Sequence, residues 1–368
     1  MKASESNPNY PSKVREMTNY TIREIKKVCK DIGPRPSGEE NERKAQDYVA
    51  DSMSKVADSV VKEKFELHPK AFMGWVPLDV ILMTISVILT LLSYFDVLPS
   101  ASTAFSAVSV VLTSLAIIFT FFEFLLYKKF LDPFFPKRET YNVVCTRKAA
   151  GETKRRIVFS GHIDSAYEWY FTHLGGGKLL TTMIALAFGA IAITLAASIV
   201  SFFDVPNGVR VTAIVVLFVC LIPILMCSMF VNWKLCVPGA NDNLTGVFAS
   251  MSVLRYMAAN DIRFENTEVV CVSMACEEAG LRGAKEYVKK HCGEDDVETV
   301  FVGTDTLRDF DDMGVYNKDM TGTVKLDKQA AAMVKHASDI AGYNLPYSSV
   351  FFGSSDAAAI QQGGMKAV

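Results

Sequence analysis

Arg156-Ile157-Val158-Phe159-Ser160-Gly161-His162-Ile163-Asp164-Ser165 joins a β-branched and aromatic run to a polar end. Such a run, bounded by glycine, predicts a central strand over 156–160. His162 and Asp164 follow it two residues apart. On extended backbone that spacing points both side chains the same way, so Asp164 is placed to steer His162, as in carboxylates that fix a metal-binding imidazole. By itself, His-x-Asp is a chance pattern in many chains. Around this stretch, further strands are predicted over 60–67, 141–146, 268–273 and 299–302, with a last one over 365–368. Helical periodicity covers 17–30, 39–57, 244–258, 281–291 and 328–340. Strands alternating with helices predict an α/β fold with a mostly parallel central sheet flanked by helices. Functional groups in such folds gather at the carboxyl ends of the strands.

The sheet pattern is interrupted twice. Residues 179–203 and 211–231 contain no charged residue, 75–95 contain only Asp79, and 104–127 contain only Glu123. About 20 apolar residues cross a bilayer core, so each block is long enough to span. A charge at a span centre costs about 2.5–3.5 kcal/mol, and both acids are read as lying near a boundary. Half the chain is apolar and the mean hydropathy is +0.21, an excess concentrated in these blocks. The links 96–103, with Pro99, and 204–210, with Pro206 and Gly208, are short. The blocks therefore form two transmembrane α-hairpins, 75–127 and 179–231, and 1–74, 128–178 and 232–368 form one domain on one side. Lys128, Lys129, Lys137, Arg138, Arg147, Lys148, Lys154, Arg155 and Arg156 flank the spans on that side, against Arg210 alone in the links. The positive-inside rule makes that side cytoplasmic. The polar N-terminus carries no signal peptide. Eight scattered cysteines without a disulfide pattern suit a reducing compartment. A net charge of −2 gives no pointer to nucleic acid.

Three more polar clusters follow predicted strands or open predicted helices. Pro238-Gly239-Ala240-Asn241-Asp242-Asn243 precedes a helix and also fits an N-cap. Glu277-Glu278 follows the strand 268–273 and also fits an acidic first helical turn. Asp305 follows the strand 299–302, in a region where Asp309, Asp311 and Asp312 show that acids are common. One imidazole and several carboxylates at strand ends form a nitrogen–oxygen donor set that suits zinc. Adjacent carboxylates can divide the labour, one on the ion and one taking a proton from water.

In this order the motifs resemble the co-catalytic di-zinc aminopeptidase family, the leucyl aminopeptidases and glutamate carboxypeptidase-like metallopeptidases. The resemblance rests on Ile32-Gly33-Pro34-Arg35-Pro36-Ser37-Gly38, Gly161-His162-Ile163-Asp164-Ser165, Pro238 to Asn243 with Gly246, Glu277-Glu278 with Gly280, Asp305, and Ser355-Asp356. It implies a zinc-exopeptidase-like fold and a zinc-dependent peptidase acting on peptide substrates. His162 and Asp305 would hold one zinc, Glu278 the other, and Asp242 would bridge them. Glu277 would be the general base, Asp164 would steer His162, and the Asp242–Asn243 peptide would be cis. Two departures stand out. The family's last ligand is a histidine beyond the segment resembling Ser355-Asp356-Ala357. His68, His173, His291 and His336 all precede that segment, so the chain reads as C-terminally truncated. The second departure is the pair of hairpins, the second of which separates His162 from Asp242.

The resulting expectation is a membrane-anchored aminopeptidase working at the cytoplasmic face of a lipid bilayer. The alternative is a catalytically impaired scaffold that keeps the fold. A transporter is disfavoured by the lack of buried charge expected in the spans.

Overall fold

A computed structural model describes residues 10–368. It divides into two compact units. Unit 1 contains the described residues up to Pro69 with Pro136–Ala166 and Cys236–Val368; unit 2 contains Lys70–Phe135 and Tyr167–Leu235. Among the described residues the strands are β1 (Ser59–Leu67), β2 (Arg138–Arg147), β3 (Arg155–His162), β4 (Tyr167–Trp169), β5 (Val231–Cys236), β6 (Thr267–Met274), β7 (Glu298–Gly303), β8 (Val315–Asp319), β9 (Val324–Lys325), β10 (Tyr347–Ser349) and β11 (Lys366–Ala367).

Unit 1 is built on a six-stranded sheet of order β1-β2-β6-β3-β7-β11. Strands β3, β6, β7 and β11 are mutually parallel, and β2 is antiparallel to both neighbours. The predicted α/β class with a mostly parallel sheet flanked by helices is what the chain adopts. The run 156–160 lies in β3, between β6 and β7, where hydrophobic residues are covered on both sides. His162 pairs with Met274 and Ser160 with Gly303, so β3, β6 and β7 end together.

Helix Thr245–Ala259 lies close against β3. Its buried Phe248, Met251 and Leu254 share a core with Tyr20 and Val28 of helix Tyr10–Asp31 and Val49 of helix Glu40–Met53. Each such large side chain contributes roughly 1.5–3 kcal/mol. The close approach requires glycine at 161, where a Cβ would sit 2.3 Å from Val247 N and 2.4 Å from the Gly246 carbonyl carbon. The sheet β10-β8-β9 was not foreseen; its strands are too short to show a period. Helix Asp356–Gln362 was missed for the same reason.

Unit 2 holds four helices long and apolar enough to cross a membrane: Ala71–Tyr94, Pro99–Leu125, Tyr170–Val200 and Asn207–Met229. The third starts well before residue 179, with non-helical backbone at Gly175 and Gly176. Hydroxyls join the helices. Ser86 Oγ lies 2.6 Å from both Ser109 Oγ and Thr113 Oγ1, and Thr90 Oγ1 lies 2.7 Å from Ser198 Oγ. Such interhelical bonds average about 0.6 kcal/mol in membranes. The lack of buried charge expected in the spans is overturned by Asp79 and Glu123. Both are buried: Asp79 accepts from Thr120 Oγ1 at 2.9 Å and Glu123 from Leu131 N at 2.5 Å. Position along a span gave no indication of which way these acids face. Tyr167 and Trp169 lie in the β4–β5 ribbon and Tyr170 opens the helix that follows; the Tyr167 and Trp233 rings are tilted, with centroids 5.0 Å apart.

Candidate metal centre

The site lies at the carboxyl ends of β3, β6 and β7. His162 is the last residue of β3 and is buried. Its Nε2 lies 3.0 Å from Asp242 Oδ1, 3.8 Å from Glu277 Oε2 and 3.9 Å from Asp305 Oδ2. His162, Glu277 and Glu278 offer ligand atoms within 4.8 Å of one another, and so do His162, Asp242 and Asp305. The five residues are spread over 144 positions of sequence, from 162 to 305. Asp309, Asp311 and Asp312 are exposed and stand outside the cluster. The Asp242–Asn243 peptide is cis.

The backbone around these groups is held by buried side chains whose distant partners the sequence did not show. Asp164 lies with Oδ1 3.3 Å from His162 Nδ1. The same carboxylate accepts from Glu277 N at 3.1 Å, Glu278 N at 3.0 Å and Ser37 Oγ at 2.6 Å. One buried acid thus ties the end of β3 to the turn after β6. Glu42, fully buried, accepts from Gly38 N (2.9 Å), Thr140 Oγ1 (2.7 Å) and Cys276 N (2.8 Å). Asn243 joins the Asp242 and Asp305 loops: its Nδ2 donates to Thr304 O at 2.9 Å, and its Oδ1 accepts from Gly246 N at 2.9 Å and Thr306 N at 3.3 Å.

Arg35 is the fourth support. Its guanidinium is 0% exposed and donates only to backbone carbonyls: Nε to Ile163 at 2.6 Å, Nη1 to Gly33 and Pro238 at 2.9 Å, Nη2 to Gly239 at 2.9 Å. It gathers the 32–38 turn, the segment after β3 and the 238–243 loop. A planar fork of fixed donors suits several carbonyls at once. Cys276 (φ 55°) and Thr306 (φ 51°), beside Glu277 and Asp305, take left-handed backbone that non-glycine residues seldom adopt. Such conformations persist where surroundings enforce them. Cys276 is buried and turns its Sγ to Glu42.

The electrostatics are those of crowded acids around one base. Burial opposes charging of His162, but Glu277, Asp164 and Asp242 outweigh it and hold the imidazole well above its usual range. Burial raises Glu277 well above the carboxylate range; His162 opposes this and Glu278, Asp356 and Asp305 reinforce it. Glu278 is raised likewise, by burial first and Asp242 next. Burial also pushes Asp356 up to about 7, near Asp164, Asp305 and Asp319. So many carboxylates in one pocket repel one another unless a cation or protons intervene. An imidazole–carboxylate donor set, with Nδ1 beside a fixed acid, fits zinc. Among the described residues, no second histidine joins the cluster. His291 pairs with Glu63, its Nε2 3.0 Å from Oε1, and His173 lies 3.6 Å from Glu168.

Residues 227–368 match the model of Peptidase family M28. The fold is also that of solved zinc aminopeptidases and glutaminyl cyclases. An aminopeptidase from Aneurinibacillus sp. strain AM-1 superposes with TM-score 0.51 at 13% identity, covering 95% of this chain and 83% of that one. The zinc aminopeptidase of Bacillus subtilis gives the same values. Porphyromonas gingivalis glutaminyl cyclase gives TM-score 0.51 at 10% identity, covering 96% and 81%. At such identities the likeness is one of fold. No curated protein matches the chain. The resemblance read from the motifs is borne out, and the family match supports a metallopeptidase.

Proposed function

We propose that this chain is a zinc-dependent exopeptidase, an aminopeptidase by the resemblance of its motifs, with His162, Asp242, Glu278 and Asp305 as ligands. The observation that carries the reading is the convergence of these four with Glu277 where β3, β6 and β7 end. His162 and Asp305 would hold one ion, Glu278 a second, and Asp242 would bridge. Zinc bound there would supply a Lewis acid for the scissile carbonyl and lower the pKa of a water molecule.

The protein's own groups do the rest. Glu277, buried beside His162 and next to Glu278, is placed to act as the base. It takes a proton from the attacking water as the oxygen bonds to the carbonyl carbon, and returns it to the amine as the C–N bond breaks. Asp164 keeps the Glu277 and Glu278 backbone in register with His162. We place the four apolar helices across a bilayer and the peptidase unit on the cytoplasmic side, supported by the nine basic residues that flank the spans. Peptides at that membrane face would be the substrates.

The test is metal content and aminoacyl-peptide turnover for the detergent-purified protein and Glu277→Gln. Bound zinc in both, with turnover lowered about 10²–10⁴-fold in the variant, is expected. No zinc in the wild type, or an equally active variant, would defeat the assignment. Zinc without turnover in either protein would favour the impaired scaffold.

A further inference from the structure

Unit 2 contains a cavity of ≈ 80 Å³ lined by Val80, Met83, Phe124, Met183, Ile191 and Asp79, among others. Its walls are otherwise almost wholly apolar, and no lysine or arginine is among the lining residues. Phe188, on the same wall, is 37% exposed, so the cavity reaches the outside of the helices. Asp79 is 6% exposed. Its Oδ2 accepts from Thr120 Oγ1, but its Oδ1 is buried with no hydrogen-bond partner. Thr120 opens a π-helical turn, Thr120–Leu125; such turns recur at functional sites.

A buried carboxyl oxygen without a donor is costly, more so when ionised. Water is a poor remedy, because an ordered water needs two to four polar partners and the polar lining is limited to Asp79, Thr120 and the weakly bonding Cys227 thiol. A single carboxylate is also too few ligands for a metal ion. The group that satisfies both the oxygen and the wall is an apolar body bringing one donor. We propose that this cavity binds a single-chain amphiphile whose head group donates hydrogen bonds, an alkyl amine or alcohol from the lipid phase. The head bonds Asp79 Oδ1 and the first carbons of the chain lie along Met83, Met183 and Ile191, the remainder extending into the lipid. Ionisable groups inside apolar spans are functional far more often than structural. The site rests on unit 2 alone and is independent of the peptidase reading.

The test uses the full chain in phosphatidylcholine nanodiscs with three photoreactive probes, diazirine-bearing octadecylamine, octadecanol and methyl octadecanoate. Labelled positions are mapped by mass spectrometry. The amine and alcohol should label cavity-lining peptides. The ester, which has no donor, should label them roughly tenfold to a hundredfold less, the worth of one hydrogen bond to a carboxylate. Asp79→Leu should bring amine and alcohol labelling down to the ester's level. Met83→Trp, which fills the cavity and leaves the carboxyl in place, should do the same and decides the matter if the first variant fails to fold. Ester labelling equal to amine labelling, or unchanged labelling in a folded variant, would overturn the proposal.

Discussion

Arg35→Met removes the clamp behind the candidate metal centre while keeping most of the side chain's volume. Four backbone carbonyls lose their guanidinium donor. Those of Gly33 and Pro238 are partly exposed and can turn to water. Ile163 O is buried, and Gly239 O keeps only a long 3.4 Å bond from Leu244 N. An orphaned buried carbonyl costs about 1–3 kcal/mol, so the pair costs about 2–6 kcal/mol. Part is returned because the variant no longer buries a charge. A net loss of about 3 kcal/mol is expected, a large share of the 5–15 kcal/mol typical of a domain. Trp75, Trp169 and Trp233 all lie in unit 2, so fluorescence would miss the effect. Cys271 is 0% exposed in the core of unit 1. In a background keeping only that thiol, maleimide labelling should accelerate roughly 100-fold, since 1.4 kcal/mol is a factor of ten and labelling follows the open population. Zinc affinity should fall about 10–100-fold as the ligand loops loosen. Labelling within about threefold of wild type, with zinc affinity intact, would show that Arg35 does not hold the loops.

Three further outcomes are expected. Gly161→Ala drives a Cβ into helix backbone 2.3 Å away and should cost about 1–3 kcal/mol or more; Cys271 labelling no faster than in the wild type would contradict the packing. Asp58 makes a two-pronged pair with Arg263 (2.6 and 2.7 Å), which holds its carboxyl down at about 2. Its stabilisation is therefore present above the ordinary carboxylate value near 3.9 and lost as pH falls through about 2. Asp58→Asn should cost under about 1 kcal/mol at neutral pH, with the gap closing in acid; a gap that widens in acid would reverse the sign. Cys292 is exposed in unit 1, so as the sole cysteine it should resist a membrane-impermeant maleimide in intact cells and react after lysis. Labelling of intact cells would put the peptidase unit on the outer side.

Several features could be read from the sequence because they are encoded over short distances. The run 156–160 reads as a strand from its β-branched and aromatic content, and it is the middle of β3. The charge-free blocks give the apolar helices by length alone. Asp164 beside His162 follows from the two-residue period of extended backbone. The strand-end positions of His162, Asp242, Glu277, Glu278 and Asp305 marked them as candidates, but their separate roles came only from the order of a known pattern; spacing alone could not separate Asp305 from Asp309, Asp311 or Asp312.

Sequence by itself thus determined the alternation of strands and helices, the interruptions, and which strand ends carry the imidazole and carboxylates. Tertiary structure decided what those residues meet. It turned Asp79 and Glu123 inward, although residue position along a span carries no facing information. It put Arg35 under three separate segments, Asn243 between two loops and Glu42 behind Cys276. Each of these is a contact between residues distant in the chain, set by how helices close over the sheet. Periodicity records only the local direction of a side chain and is silent about which distant carbonyl or carboxylate will be waiting there.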